Sequence, residues 1–435
     1  MKELLKSSNW LSGLQWLFFI FTNIVVIPIT VGAAFELPQE RIVALLQLSF
    51  ILTGIACMIQ ALIGHQRALL EGQSGLWWGV ILTLVNTAIA QGMPLSELGG
   101  SITVGIIISG IITVLIGLTG LGPHLAKLFN PAVMGVFMFL FGAQLVGIFM
   151  KGMLGIPFGN AAQDGSIDIA ESMLSIIIVI GVIIISVKAK PSIRQYSLLI
   201  GIIIGWIAYV LIFGASPSTG GRATLSIQLF PLGEPFWNIG IIITIVLTGL
   251  LNTANTFGAL RGTDSIYNMV TTNKQYRASF TITGIITGIS GFLGLVPYSP
   301  YVSSIGFLNQ TGIIKRMPFI LGGFMFLVIG LIPPLGNFFS QLPLSVGSAV
   351  LFVSYVMLLN SSLNFFNQVN FNTINVYRSA VPLFTGLIIM TMPASYFETI
   401  PSIIRPLFSN GLIVGVTLAL LLENLFHWDR YGVSK

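Results

Sequence analysis

Apolar runs long enough to cross a bilayer recur along the whole chain, and most of the charge stands between them. A helical span needs about 20 mostly apolar residues. Candidate spans fall near 14–34, 42–63, 74–92, 100–120, 130–150, 172–188, 196–214, 238–260, 278–296, 303–314, 317–337, 344–365, 380–395 and 408–427. Only 7% of the residues are charged, against about 25% in soluble domains. That is too little to cover a water-facing surface, so the chain reads as an all-α polytopic membrane protein in a lipid bilayer. The basic residues are spread out rather than clustered, which argues against a nucleic-acid partner. The single cysteine, Cys57, excludes an internal disulfide. The N-terminal apolar run is too long for a signal-peptide core and is expected to be retained as a span.

Lysine and arginine give the orientation, because they accumulate on the cytoplasmic side. With the N-terminus inside, the inner segments hold Lys2, Lys6, Arg67, Lys127, Lys188, Lys190, Arg194, Arg261, Lys274, Arg277, Lys315, Arg316, Arg378, Arg430 and Lys435. The outer segments hold Arg41, Lys151, Arg222 and Arg405. This asymmetry predicts a multi-pass cell-membrane protein with both termini cytoplasmic. The stretch Lys151–Glu171 reads as an outer loop.

Two spans are irregular. Val296–Arg316 (VPYSPYVSSIGFLNQTGIIKR) carries Pro297 and Pro300, which cannot both sit inside a regular helix. The expected course is extended through Tyr298–Val302, then a short helix starting near Ser303 and Ser304, where a serine N-cap fits. The third span opens Glu71-Gly72-Gln73-Ser74-Gly75-Leu76-Trp77-Trp78. Its glycines permit close backbone approach, and Gln73 and Ser74 offer hydrogen bonds. Trp77 and Trp78 fit either a site wall or an interfacial belt. The irregular spans are the third of each half of seven, the pattern of inverted-repeat transporters whose broken helices frame a midplane site. In the eighth span Asn252, Asn255 and Thr256 share one helical face with the spacing of a lining stripe. Helix–helix glue is the alternative use of such residues.

At these residues the chain resembles the nucleobase–ascorbate transporter family, also called nucleobase–cation symporter family 2, whose members include uracil, xanthine and uric acid permeases. The family's tenth-segment signature, Q-N-x-G followed by T and R, is similar to Ser303-Ser304-Ile305-Gly306 with Thr311-Gly312 and Arg316. Val296–Tyr301 resembles its F-P-Y-T-x-F lead-in, and Gly72–Trp77 its G-S-S-F-A-F third-segment start. Gln15-Trp16 stands where the family has Q-H, and Pro131 and Gly135 fit its fifth-span pattern. There are departures. Asn252 and Thr256 occupy the places of the family's eighth-span glutamate and its histidine or aspartate, and Ser303 that of a tenth-segment glutamine or glutamate.

The resemblance implies a 7+7 inverted repeat of about fourteen segments, with the third and tenth each a short strand plus a half-helix. Core-domain halves would cover 1–128 and 237–340, and gate-domain halves 129–236 and 341–435. It implies a secondary active transporter that imports a purine or pyrimidine nucleobase and forms a homodimer through the gate. By the same resemblance the base would be held by Gln73, Ser74, Gly75, Trp77, Asn252, Asn255, Thr256, Tyr298, Ser303 and Ser304, with Trp77 or Tyr298 stacking on the ring. No resident cofactor or metal is implied. Coupling to H⁺ or Na⁺ is expected, but Asn252 is an amide and cannot carry a proton. Glu71, directly before the third half-helix, is the coupling candidate. Two other transporter readings stand beside this one: an uncoupled nucleobase facilitator, and a sulfate- or bicarbonate-type anion carrier of the same architecture, which would prefer a basic residue at the site. An enzyme is not expected, since the chain contains no H-E-x-x-H.

Overall fold

In hydrocarbon every backbone N–H and C=O must find a partner within the protein, so apolar runs fold as helices and irregular backbone survives only where protein covers it. The computed structural model describes residues 7–156, 166–194, 196–214, 226–401 and 403–426. Its first half contains α1 (Ser7–Ile24), α2 (Val26–Ala34), α3 (Gln39–Leu62), β1 (Glu71–Gln73), α4 (Gly75–Ala90) and α5 (Leu95–Thr119). There follow α6 (Gly122–Leu125), α7 (Pro131–Met153), α8 (Ile169–Lys188), α9 (Pro191–Arg194) and α10 (Ser197–Phe213). The second half contains α11 (Ile239–Gly262), α12 (Asp264–Tyr267), α13 (Asn273–Phe292), β2 (Tyr298–Pro300), α14 (Ser303–Thr311) and α15 (Arg316–Leu331). It closes with α16 (Pro333–Phe339), α17 (Leu344–Val356), α18 (Leu358–Phe366), α19 (Thr373–Thr391), α20 (Arg405–Phe408) and α21 (Gly411–Leu425).

The sequence marks many of these starts. Asn130, Asp168, Asn238 and Asn410 each accept a backbone N–H three residues on, capping α7, α8, α11 and α21. Thr272 and Gln275 form a capping box at α13. Three expected spans are interrupted, the eleventh at Ile332, where α15 and α16 meet at 93°. The first runs from Ser7 and breaks at Val25, where Pro28 denies the helix an N–H and crowds the preceding turn. The twelfth breaks at Met357, between α17 and α18. The ends of the expected loop Lys151–Glu171 are helical, to Met153 and from Ile169. Residues 157–165 of that loop lie outside the described residues, as do Lys2, Lys6, Arg222, Arg430 and Lys435.

Grouped by crossing, the segments are α1–α2, α3, β1–α4, α5, α7, α8, α10, then α11, α13, β2–α14, α15, α17–α18, α19 and α21. Their packing has the symmetry of an inverted repeat. α5 packs on α13 and α3 on α15; α11 packs on α5 and α1 on α15. In crossings these are 4 with 9 and 2 with 11, then 8 with 4 and 1 with 11. Each pair becomes the other when every segment is exchanged for the one seven places away. The remaining helices obey the same exchange: α10 on α8 answers α21 on α19, and α10 on α17 answers α21 on α7. The broken segments pair with each other, β1 on β2. The chain is therefore a 7+7 helical membrane fold, in which α1–α5 pack chiefly with α11–α15 as a first group and α7–α10 chiefly with α17–α21 as a second.

Close approach within the first group depends on small residues, as is general between membrane helices. A Cβ on Gly284 of α13 would lie 2.6 Å from the Val114 nitrogen and 2.8 Å from the Gly110 oxygen of α5. Backbone cannot step aside, and overpacking costs about 1–3 kcal/mol. Gly284→Val is therefore expected to reduce the detergent-stable fraction after a heat step in size-exclusion chromatography. A Cβ on Gly288 meets nothing within 4 Å, so Gly288→Ala is the control and should leave that fraction unchanged.

Candidate functional site

The prolines that exclude a helix at Tyr298–Pro300 leave a strand, and its backbone groups are met by the other strand among the described residues. β1 and β2 pair antiparallel, Glu71 opposite Pro300, Gly72 opposite Ser299 and Gln73 opposite Tyr298. The ladder extends at both ends: the Ser74 N–H donates to the Pro297 carbonyl (2.8 Å) and the Tyr301 N–H to the Leu70 carbonyl (2.8 Å). The Tyr301 hydroxyl donates to the Gln73 carbonyl. Because the strands are antiparallel, α4 and α14 leave the ladder from its opposite ends in opposite directions. No side chain caps either helix. Ser303 does begin α14, yet the expected serine cap is not made. Ser304 Oγ instead accepts the Leu70 N–H (3.1 Å) and closes the end of the ladder. First-turn N–H groups carry partial positive charge; at α14 those of Ser304 and Ile305 are taken up by the Tyr301 and Val302 carbonyls (3.1 and 3.0 Å).

Two cavities flank this ladder. The front one, of about 80 Å³, lies between the two helix groups. One wall is Ser74, Gly75, Asn255, Asn23 and the run Ser299–Ser303. The opposite wall is Met138 and Phe141 of α7, Ser354 and Tyr355 of α17, and Leu358 of α18. The rings of Phe141 and Tyr355 stand edge to face at 6.1 Å. The rear cavity is narrow and lies within the first group. Trp77, Ser109, Thr113, Asn252, Thr253, Thr256, Thr283 and Thr287 line it. None of the residues lining either cavity is charged.

Asn252 joins the two cavities. Its Oδ1 accepts from Ser74 Oγ (2.7 Å) and from Asn255 Nδ2 (3.0 Å), and its Nδ2 donates to the Tyr298 carbonyl (3.1 Å). One amide thus fixes the start of α4, the polar face of α11 and strand β2 to one another.

Of the residues singled out in the sequence, Ser74, Gly75, Asn255 and Ser303 line the front cavity. Trp77, Asn252 and Thr256 line the rear one. Glu71, Gln73, Tyr298 and Ser304 line neither. Strand alternation explains three of these, since successive side chains point to opposite faces. Gln73 Oε1 accepts from Ser49 Oγ (3.0 Å), and the Tyr298 hydroxyl shares a hydrogen bond with Thr53 Oγ1 (3.0 Å); Ser49 and Thr53 are on α3. Glu71 and Tyr298 are completely buried. Trp77 and Trp78 are buried as well, so neither serves in an interfacial belt; Trp78 Nε1 donates to Thr30 Oγ1 (2.9 Å). The aromatic rings around the front cavity come from Tyr301 on the ladder side and from Phe141 and Tyr355 on the opposite wall. Tyr301 stood within the quoted lead-in. Phe141 and Tyr355 carry no local marker, because each sits in a run of apolar and aromatic residues.

Comparison with known proteins agrees with this architecture. The permease family Xan_ur_permease matches residues 7–395. YwdJ of Bacillus subtilis (strain 168), whose name assigns it as a purine permease, is 29% identical over 97% of this chain and 96% of its own. The xanthine permease of the same organism is 24% identical over 95% of this chain and 93% of its own. Among solved structures, the transmembrane domain of the cyanobacterial bicarbonate transporter BicA superposes with a TM-score of 0.60. That match covers 97% of this chain and 98% of BicA's domain at 15% identity, a likeness of fold.

Proposed function

This chain belongs to the permease family Xan_ur_permease, the nucleobase–ascorbate transporters, a family of transporters and not enzymes, and on that premise we propose that it imports nucleobases, purines in the first place, by alternating access. The observation that carries the reading is the front cavity. It has hydroxyl and amide groups on one wall, aromatic rings on the other and no charged lining residue. A flat neutral base needs that combination: donors and acceptors for its amide-like edge and a ring face to stack on. The sequence of the relatives points the same way, to purines and xanthine.

In this account α1–α5 and α11–α15 form a core domain (1–128 and 237–340) that carries the ladder. α7–α10 and α17–α21 form a gate (129–236 and 341–435) that supplies Phe141 and Tyr355. The base sits on the core between Ser74, Asn255 and Ser303. Asn252 and Thr256 behind them, with Gln73, Tyr298 and Ser304, hold that surface in shape. Rocking of core against gate exposes the base to each side in turn, both termini being cytoplasmic and two copies meeting through their gates. Transport is cation-coupled, with Glu71 as the coupling group.

The likeness to a bicarbonate transporter supports one other reading, an anion carried between the two facing helix starts. Uptake of labelled xanthine by cells lacking their own purine permeases separates the two. Unlabelled purines are expected to compete, and excess sulfate and bicarbonate are expected not to. Competition by the anions alone overturns the nucleobase reading.

A further inference from the structure

Glu71 is the group in the neighbourhood of the cavities that the binding account leaves unexplained. It is completely buried on β1, the strand that leads into Ser74 and α4. Thr283 Oγ1 of α13 donates to its Oε1 (2.6 Å), and Gln60 Nε2 of α3 donates to that same hydroxyl (3.0 Å). Its Oε2 has no hydrogen-bond partner among the described residues. A buried polar atom left open in a native fold calls for a reason. The other buried carboxylate in the described residues is held differently, Glu423 being ion-paired with Arg378.

The groups around Glu71 are neutral in kind: the Cys57 thiol of α3 donates to its backbone carbonyl (3.5 Å), Thr283 of α13 donates to its carboxylate with Gln60 of α3 behind it, and the Tyr298 hydroxyl of β2 is held by Thr53. α1 contributes no charged residue over Ser7–Ile24. The charges of α3, Glu40 and Arg41, lie at its far end. Lys274 and Arg277 lie at the start of α13, where Arg277 donates to the Gly117 and Leu118 carbonyls. On the approach to β1, Arg67 pairs with Asp264 (2.8 Å), and His65 Nδ1 accepts the Arg67 N–H (3.2 Å).

Thr283 has a second exposure: it lines the rear cavity, and so does Asn252. A polar path therefore runs from Glu71 through the Thr283 hydroxyl to the rear cavity, and from Asn252 to Ser74 at the front cavity. We propose that Glu71 is the proton-binding site of the transport cycle, with Thr283 its positioning residue and Asn252 the link to the bound base. The assignment rests on the nucleobase reading and deepens it. With the site open outward, a hydronium in the rear cavity gives a proton to the Thr283 hydroxyl while that hydroxyl passes its own to Oε1, so an O–H bond forms on the Glu71 carboxyl and water is left behind. Base and proton cross together. With the site open inward, that O–H bond breaks, the proton returns to cytoplasmic water and the base leaves unchanged. One proton moves per base, and no other ion is needed.

The test uses the full chain in proteoliposomes, with labelled xanthine and uric acid as probes and a pH-sensitive dye in the lumen. For one proton per base, an inward gradient of one pH unit drives about tenfold accumulation. The unsubstituted protein is expected to reach it and to acidify the lumen on xanthine addition. Glu71→Gln keeps an acceptor for Thr283 and should retain xanthine counterflow, yet accumulate nothing and acidify nothing. Thr283→Val leaves the carboxyl in place and should move the pH of half-maximal accumulation, with Thr283→Ser restoring it. Should Glu71→Gln not fold, the Thr283 pair carries the test alone, and an unmoved pH profile overturns the proposal. Normal accumulation and acidification by Glu71→Gln overturns it too, as does accumulation driven by sodium at equal pH. Absence of xanthine and uric acid counterflow in the unsubstituted protein sinks the nucleobase reading. Counterflow without proton movement sinks the proton site alone.

Discussion

Gly75→Leu is expected to abolish base binding while leaving a folded protein. Gly75 is the first residue of α4 and lines the front cavity. A Cβ there would stand 2.9 Å from the Tyr355 hydroxyl, 3.0 Å from Phe141 Cζ and 3.2 Å from Leu145 Cδ1. A leucine side chain extends farther on that line, fills the cavity and pushes against the facing helices. Overpacking costs about 1–3 kcal/mol, which is roughly a fivefold to 150-fold loss of affinity when the crowded state is the one that binds, on top of the space the side chain takes from the base. Gly75→Ala should cost less, because the Tyr355 hydroxyl is the end of a side chain that can turn away. The check is equilibrium binding of labelled xanthine to purified protein beside its chromatographic profile. A normal profile with normal affinity would place the base elsewhere.

Asn252→Ala is expected to remove uptake at every pH. The substitution strands the buried Tyr298 carbonyl and leaves Ser74 Oγ and Asn255 Nδ2 only the long bond between them (3.4 Å). A buried group left unpaired costs about 1–3 kcal/mol, so the front wall loses its order even where the fold survives. An amide does not titrate in the working range, and no change of pH should rescue the variant. That separates it from Glu71→Gln, whose loss is confined to accumulation against a gradient. Xanthine uptake by Asn252→Ala within about twofold of the unsubstituted protein would contradict this role, because stranding even one buried partner should exceed that.

Much of this was legible in the residues and some could not be. Apolar runs gave the spans, since lipid admits little besides helices. Pro297 and Pro300 and the Gly72-Gln73-Ser74-Gly75 run marked the two broken segments, because those residues oppose regular helix. The face each strand residue occupies was not legible. It depends on register, Gly72 opposite Ser299, and a shift of one residue would have reversed Gln73 and Tyr298. The facing wall was hidden for another reason. Phe141 and Tyr355 lie in segments rich in apolar and aromatic residues, so only packing against α4 picks them out. Asn252 was visible as part of a polar face, but its bond to Ser74 spans most of the chain and has no local signature.

The central claim is that the cavity between the facing half-helices takes a neutral base. Scintillation-proximity binding of labelled xanthine to the purified protein tests it most directly, with unlabelled uric acid, guanine, uracil, bicarbonate and sulfate as competitors. The account predicts saturable binding displaced by one or more of the bases and untouched by either anion. Displacement by bicarbonate or sulfate with no effect of any base would contradict it.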